Sequence, residues 1–204
     1  MLKVNLPFNL NLSEEKQKLI STRYNEFQEF FQKSNEEWFS ELCFCILTAN
    51  SQAKRAIEIQ NFLGAKGFLE NTEAQLAQVI RSHGHRFHNN KAKYIVNARK
   101  LYKIKEFLSN LDDYTAREFL VKNIMGIGYK EASHFLRNVG YTKVAIIDRH
   151  ILKFLLAENL IPFIPKTVSK KDYLNYENIL SKYCSNLSLL DLMIWCHMTG
   201  EVLK

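Results

Sequence analysis

The chain has 204 residues, enough for one compact domain or two small helical lobes and too few for a multidomain array. It is 47% hydrophobic and 24% charged, which excludes wholesale disorder, and its seven glycines and three prolines are too few for the turns of a β-sandwich or barrel. The net charge of +7 points to an anionic partner, nucleic acid being the commonest, although a merely basic soluble protein satisfies it too.

The opening run Met1-Leu2-Lys3-Val4-Asn5-Leu6-Pro7 has neither the apolar core nor the small-residue cleavage site of a signal peptide. No stretch approaches the roughly 18 apolar residues that span a bilayer. Cys43, Cys45, Cys184 and Cys196 form no CxxC pair and no disulfide-rich spacing. They read as reduced thiols, mostly in the core of a cytoplasmic protein.

In chain order, helix signals dominate. Ser13 followed by Glu14 and Glu15 marks an N-cap and an acidic first turn, and Leu19, Ile20, Tyr24, Phe27, Phe30 and Phe31 then recur at helical spacing. Ser34 with Glu37, Thr72 with Gln75 and Thr115 with Glu118 read as capping boxes, each opening an apolar segment. Residues 90–108 predict one long amphipathic helix with a basic face of Lys91, Lys93, Arg99, Lys100, Lys103 and Lys105. Further helices are expected over 129–138, 149–160, 172–183 and 189–198. The only β-like run, 143–147, is too short and isolated for a sheet. The expected fold class is all-α, with nine to eleven helices, no internal repeat and no long linker.

The most informative stretch is Leu120-Val121-Lys122-Asn123-Ile124-Met125-Gly126-Ile127-Gly128-Tyr129-Lys130-Glu131-Ala132. One helix ends, a Gly-x-Gly turn follows, and a second helix begins at once. The free N–H groups at that second helix start suit a phosphate, and an ordinary glycine-capped corner also accounts for them. Lys130 lies in the first turn, where the helix dipole opposes an ammonium and favours a neutral, nucleophilic amine. A solvated surface lysine is the plain alternative. Asp148 follows the apolar run Val144-Ala145-Ile146-Ile147 and opens another helix. As an N-cap it needs no further account; as a functional group it is a carboxylate held rigidly beside an apolar wall.

The Gly126-to-Ala132 turn, with Asp148 eighteen residues beyond Lys130 in an Ile-Asp-Arg-His-Ile context, resembles the helix-hairpin-helix of the DNA glycosylase superfamily that includes endonuclease III. Within it the chain most resembles the short archaeal-type 8-oxoguanine DNA glycosylases with lyase activity. The likeness runs through residues 42–53, 87–97, 124–155 and 195–204. It implies two helical lobes with a cleft between them: a six-helix barrel over 33–140, and a second lobe made of 1–32 and 141–204. Lys130 matches the nucleophile and Asp148 the essential carboxylate. Asn50 matches the residue that fills the gap left by the extruded base, and Phe87 and Trp195 the stacking positions. Gly126, Gly128, Arg149 and His150 would meet the DNA backbone. The carbonyls of Lys122, Ile124 and Ile127 would hold a monovalent cation at the hairpin. The terminal Lys204 would join lesion recognition through its α-carboxylate.

The resemblance also implies a chemistry and its partners. An oxidised guanine is everted from duplex DNA and excised by amine attack on C1′, and the strand is then cut by β-elimination. Another oxidised base is the nearest alternative, and a non-catalytic helix-hairpin-helix DNA-binding module the next. The expected protein is a monomer that needs no cofactor and meets its nucleoid substrate in the cytoplasm. An iron–sulfur cluster is not expected, because only Cys184 and Cys196 lie in the C-terminal half. Met125 stands where proline is usual in the hairpin, which is still expected to form. Arg81, His83, His85, Arg86, His88, Lys91 and Lys93 form a cationic cluster that suits phosphate contact, with a metal site or a solvated loop as the alternatives.

Overall fold

The computed structural model describes residues 8–204; residues 1–7, on which the expectation about a leader rests, lie outside it. Among the described residues there are eleven α-helices, one 3-10 turn and no strand. No helix is long and apolar enough to cross a membrane. The chain divides into two compact units, Gln32–Phe135 and the pairing of Met1–Phe31 with Leu136–Lys204.

The first unit is built around α2 (Asn35–Thr48), which the Ser34–Glu37 capping box opens as expected. Every residue from Trp38 to Thr48 is buried, the pattern of a helix packed on all sides. α3 (Ala53–Glu70) packs against it, α4 (Glu73–Ser82) packs on α3 and on α5 (His88–Ala98), and α5 and α6 (Ile104–Leu108) also pack against α2. The sequence reading did not identify α3. Its apolar pattern is interrupted at Gly64, where φ is 58° and the helix kinks, so no unbroken period runs through it.

The helix expected over 90–108 is broken. α5 ends at Ala98, a 3-10 turn covers Arg99–Leu101, and α6 resumes at Ile104. No glycine or proline marks the break. The expected basic face is divided: Lys93, Lys100 and Lys103 are exposed, while Lys91, Arg99 and Lys105 reach carbonyls of neighbouring segments. The Lys91 ammonium donates to the Ile46 carbonyl at 2.6 Å, Arg99 Nε to Phe68 O at 2.9 Å and Lys105 to Lys33 O at 2.7 Å. Lys91 and Arg99 thus satisfy carbonyls in the last turns of α2 and α3, and Lys105 one in the link before α2.

α7 (Asp113–Asn123) is capped by Asp112, whose Oδ1 accepts from the Tyr114 and Thr115 N–H groups. The Thr115–Glu118 box is therefore wrong by one turn: aspartate, itself a strong cap, precedes the threonine. α8 (Tyr129–Asn138) follows the hairpin and matches its expected bounds.

The second unit contains α1 (Glu14–Phe30), α9 (Arg149–Ala157), α10 (Lys170–Ser181) and α11 (Leu187–Thr199). Ile20, Tyr24 and Phe27 of α1 pack with Leu189, Leu192 and Cys196 of α11 in one apolar cluster. α9 stops three residues short of its expected end. Asn159, at φ 56°, turns the chain, and Leu160 N–H reaches back to Leu155 O at 2.9 Å. Asparagine tolerates that left-handed conformation and so serves as the stop.

Residues 144–147 pair with no strand among the described residues, and the segment ends in a tight turn in which Asp148 N–H donates to Ile146 O at 3.1 Å. Their N–H groups are taken by side chains: Ala145 by Glu177 at 2.9 Å, Ile146 by Asp191 at 2.7 Å and Ile147 by the Tyr173 hydroxyl at 3.1 Å. A buried backbone without a ladder needs such substitutes.

Candidate active site and DNA-contact hairpin

The hairpin forms with Met125 at its tip, half exposed. Ile124 ends α7 in extended geometry, Gly126 adopts φ 83°, and Ile127 N–H returns to Ile124 O at 3.4 Å. A Cβ on Gly126 would lie 2.2 Å from Tyr94 Cδ2, so both the backbone angle and the space demand glycine there. Gly128 differs. Its carbonyl accepts from Ala132 N–H at 2.9 Å, and its own N–H is met by Glu131 Oε2 at 3.3 Å. Gly128 and Glu131 thus cap α8, a role carried by the familiar spacing of three that the sequence reading passed over. Lys122, Ile124, Gly126 and Ile127 line a hollow of about 430 Å³ with Asn97 and Lys100.

Lys130 stands in the first turn of α8, its side chain 36% exposed and its Nζ 3.2 Å from Glu131 Oε1. It lines a polar hollow of about 440 Å³ with Thr48, Asn50, Ser51, Gln52, Arg55 and Arg86. Asn50 is exposed on the turn after α2 and holds a positive φ of 58°. The structure therefore brings Lys130 and Asn50 to one concave site. Arg55, whose Nη1 binds Gly84 O at 3.0 Å, was not anticipated.

Beneath this wall lies Lys91, 4% exposed. Burial drives its ammonium down to about 8; Glu131 acts against that shift and Lys130 adds to it. Lys91 is thus an interior group, not a phosphate contact. His85 leaves the proposed cluster for the same reason. It is buried, with Nε2 2.9 Å from Leu47 O and Nδ1 accepting from Phe87 N–H at 3.2 Å, so the proton sits on Nε2. Burial lowers its pKa. With both nitrogens engaged, His85 has no lone pair for a metal. Among the described residues no group of three or more His, Cys, Asp or Glu gathers to hold one. Phe87, 39% exposed, opens α5 with the Arg86 guanidinium 5.0 Å above its ring.

In the other unit, Asp148 caps α9. Its Oδ1 accepts from His150 N–H at 2.8 Å and Ile151 N–H at 2.9 Å, while Oδ2 accepts no hydrogen bond among the described residues. Arg149 is exposed, and its two terminal nitrogens bind Pro165 O and Lys166 O at 2.8 and 2.7 Å. The His150 ring lies 6.2 Å from that of Trp195, nearly edge-on. Trp195 belongs to α11, which Gly200 ends in left-handed geometry; Lys204 follows, partly buried.

An all-helical chain with this hairpin, and a lysine in the first turn beyond it, has the architecture of the helix-hairpin-helix DNA glycosylases. The chain belongs to the 8-oxoguanine DNA glycosylase family, whose model matches residues 20–189. It is 53% identical over 191 residues to the 8-oxoguanine DNA glycosylase/AP lyase of Methanocaldococcus jannaschii, covering 91% of this chain and 92% of that protein. The crystal structure of that archaeal protein with a 15mer DNA containing 8-oxoguanine matches at TM-score 0.89 and 52% identity over 94% of both chains. The 8-oxoguanine DNA glycosylase of Thermotoga maritima matches at TM-score 0.87 and 41% identity, again over 94% of both chains. A trapped endonuclease III–DNA intermediate, 18% identical with a TM-score of 0.58, covers 88% of this chain and 84% of its own and shares the fold.

Proposed function

We propose that this chain is a bifunctional 8-oxoguanine DNA glycosylase/AP lyase acting on duplex DNA, with Lys130 as nucleophile and Asp148 as its acidic partner. The observation that carries the reading is a primary amine lining a polar hollow directly after the hairpin, beside Asn50 and two arginines. The net charge of +7 suits an anionic substrate.

Lys130 Nζ, unprotonated, attacks C1′ of the everted nucleotide. The C1′–N9 bond breaks, its electron pair leaves on the base, and the base takes up a proton. The sugar ring then opens to a Schiff base with Lys130. Loss of the C2′ proton expels the 3′ phosphate by β-elimination. Asp148 Oδ2, not used by the cap, accepts the proton from Lys130 or balances the positive charge growing on the sugar. Asn50 takes the role of filling the space the base vacates, Phe87 and Trp195 those of stacking partners, and Lys204 one in lesion recognition. Gly126, Gly128, Arg149 and His150 hold phosphates. The carbonyls of Lys122, Ile124 and Ile127 would hold a monovalent cation, which would supply positive charge for a phosphate.

Borohydride trapping tests the reading. A covalent adduct should form on duplex DNA carrying 8-oxoguanine and be absent in Lys130→Gln. Rates on a panel of duplexes, each with one defined lesion, should be highest for 8-oxoguanine. Tight DNA binding with no adduct and no excised base would leave only a binding module.

A further inference from the structure

We infer that Tyr173, Glu177 and Asp191 are positioning residues for base excision: they clamp the three peptide groups before Asp148 and so fix where its carboxylate stands. The inference rests on the role of Asp148 proposed above.

Successive N–H groups of Ala145, Ile146 and Ile147 donate to Glu177, Asp191 and Tyr173, at 2.9, 2.7 and 3.1 Å. The Tyr173 hydroxyl also donates to Ala145 O at 2.7 Å, gripping the segment from both sides. The second Asp191 oxygen binds Arg137 Nη1 at 2.8 Å. The three clamping side chains are almost wholly buried, with exposures of 3, 4 and 1% in sequence order.

This is a costly way to satisfy three peptide groups. Buried carboxylates lose their hydration, and apolar replacements of buried ion pairs are often neutral or stabilising. A neighbouring strand would do the same hydrogen bonding without charge. What the arrangement adds is definition. Three donors are held by three side chains of two helices, so the segment has one register and one height. Asp148 follows at once, with one oxygen committed to the α9 cap. A misplacement of about 1 Å at a reacting group costs on the order of 100-fold in rate.

The test is a double-mutant cycle read by single-turnover excision and by affinity for the lesion duplex. Tyr173→Phe removes the hydroxyl and keeps the ring. It should slow excision about 10- to 100-fold, change affinity less than about 3-fold, and have almost no effect in an Asp148→Asn background. Equal slowing in both backgrounds, or a folded Tyr173→Phe with the wild-type rate, would overturn the inference. If Tyr173→Phe does not fold, Glu177→Met and Glu177→Gln take its place. The glutamine keeps an oxygen for Ala145 N–H and should restore most of the rate lost with methionine; two equally slow proteins would count against the clamp. A wild-type rate in Asp148→Asn alone would remove the role of Asp148, and this inference with it, while leaving the role of Lys130 standing.

Discussion

The starts of α8 and α9 carry the two groups proposed for the chemistry, and they are built on opposite local rules. At α9 an aspartate accepts two free N–H groups, as helix energetics favour. At α8 a lysine sits where the dipole repels a cation, and Glu131 is recruited beside it both to cap and to pair. A residue that obeys its local rule says little about function. A residue that breaks the rule and is compensated by its neighbours says more, which makes Lys130 the more informative half of the pair.

The largest effect expected follows directly. Lys130→Gln should abolish the trapped adduct and lower excision at least about 1000-fold, because the covalent route is lost. Its thermal stability should stay within about 0.5 kcal/mol of wild type, since the lost pair with Glu131 is partly exposed and the lost cation opposes the dipole. A large loss of stability would mean that Lys130 is structural and would break the contrast. Asp148 needs two substitutions to separate cap from chemistry. Asp148→Asn retains a good cap and should unfold as wild type does, while excision falls about 100-fold or more. Asp148→Ala should show the same kinetic loss and also cost about 1 kcal/mol in denaturant unfolding. If asparagine restored the rate, capping would be the whole role of position 148.

Much of this was legible before any coordinates. Helix starts announced by Ser13, Ser34 and Thr72 formed as expected, because their information is local. The hairpin was equally readable, since Gly-x-Gly between two periodic segments admits few backbones. Direction was not readable. Lys91, Arg99 and Lys105 satisfy a helical pattern whichever way their face turns, and only packing aims them at carbonyls. The polar wall beside Lys130 was hidden likewise. Asn50, Arg55 and Arg86 lie far from it in sequence, and only Asn50 was anticipated for the lesion site, through a family resemblance. The clamp before Asp148 was out of reach, because a β-like run gives no hint that side chains replace its neighbouring strands.

The hairpin's two glycines sharpen the contrast on the α8 side. Gly126→Ala forces a Cβ into Tyr94 at a positive φ and should cost about 2–4 kcal/mol, with weakened DNA affinity. Gly128→Ala meets only Glu131 Oε2, at 3.4 Å, and should cost under about 1 kcal/mol, a cap effect. Thermal melts and salt-dependent DNA titrations of the two proteins check the ranking. Equal losses would show that the turn needs flexibility at both positions rather than one left-handed residue.

The smallest effect probes the charge beneath Lys130. Burial lowers the Lys91 pKa from its ordinary 10.5 to about 8, so the folded protein releases this proton before the unfolded chain does. A depressed folded pKa gives stability that is present above the unfolded value and is lost as pH falls through the folded one. The window is therefore pH 8 to 10.5, and stability attributable to Lys91 rises with pH inside it. Lys91→Met removes the titration. The stability of wild type relative to Lys91→Met should climb by about 1 kcal/mol between pH 8 and 9 and be flat between pH 6 and 7. Urea unfolding of both proteins at each pH isolates the difference from the other titrating groups. A flat difference across the whole range would mean that water reaches Lys91, and that the interior side of the α8 start carries no electrostatic strain of its own.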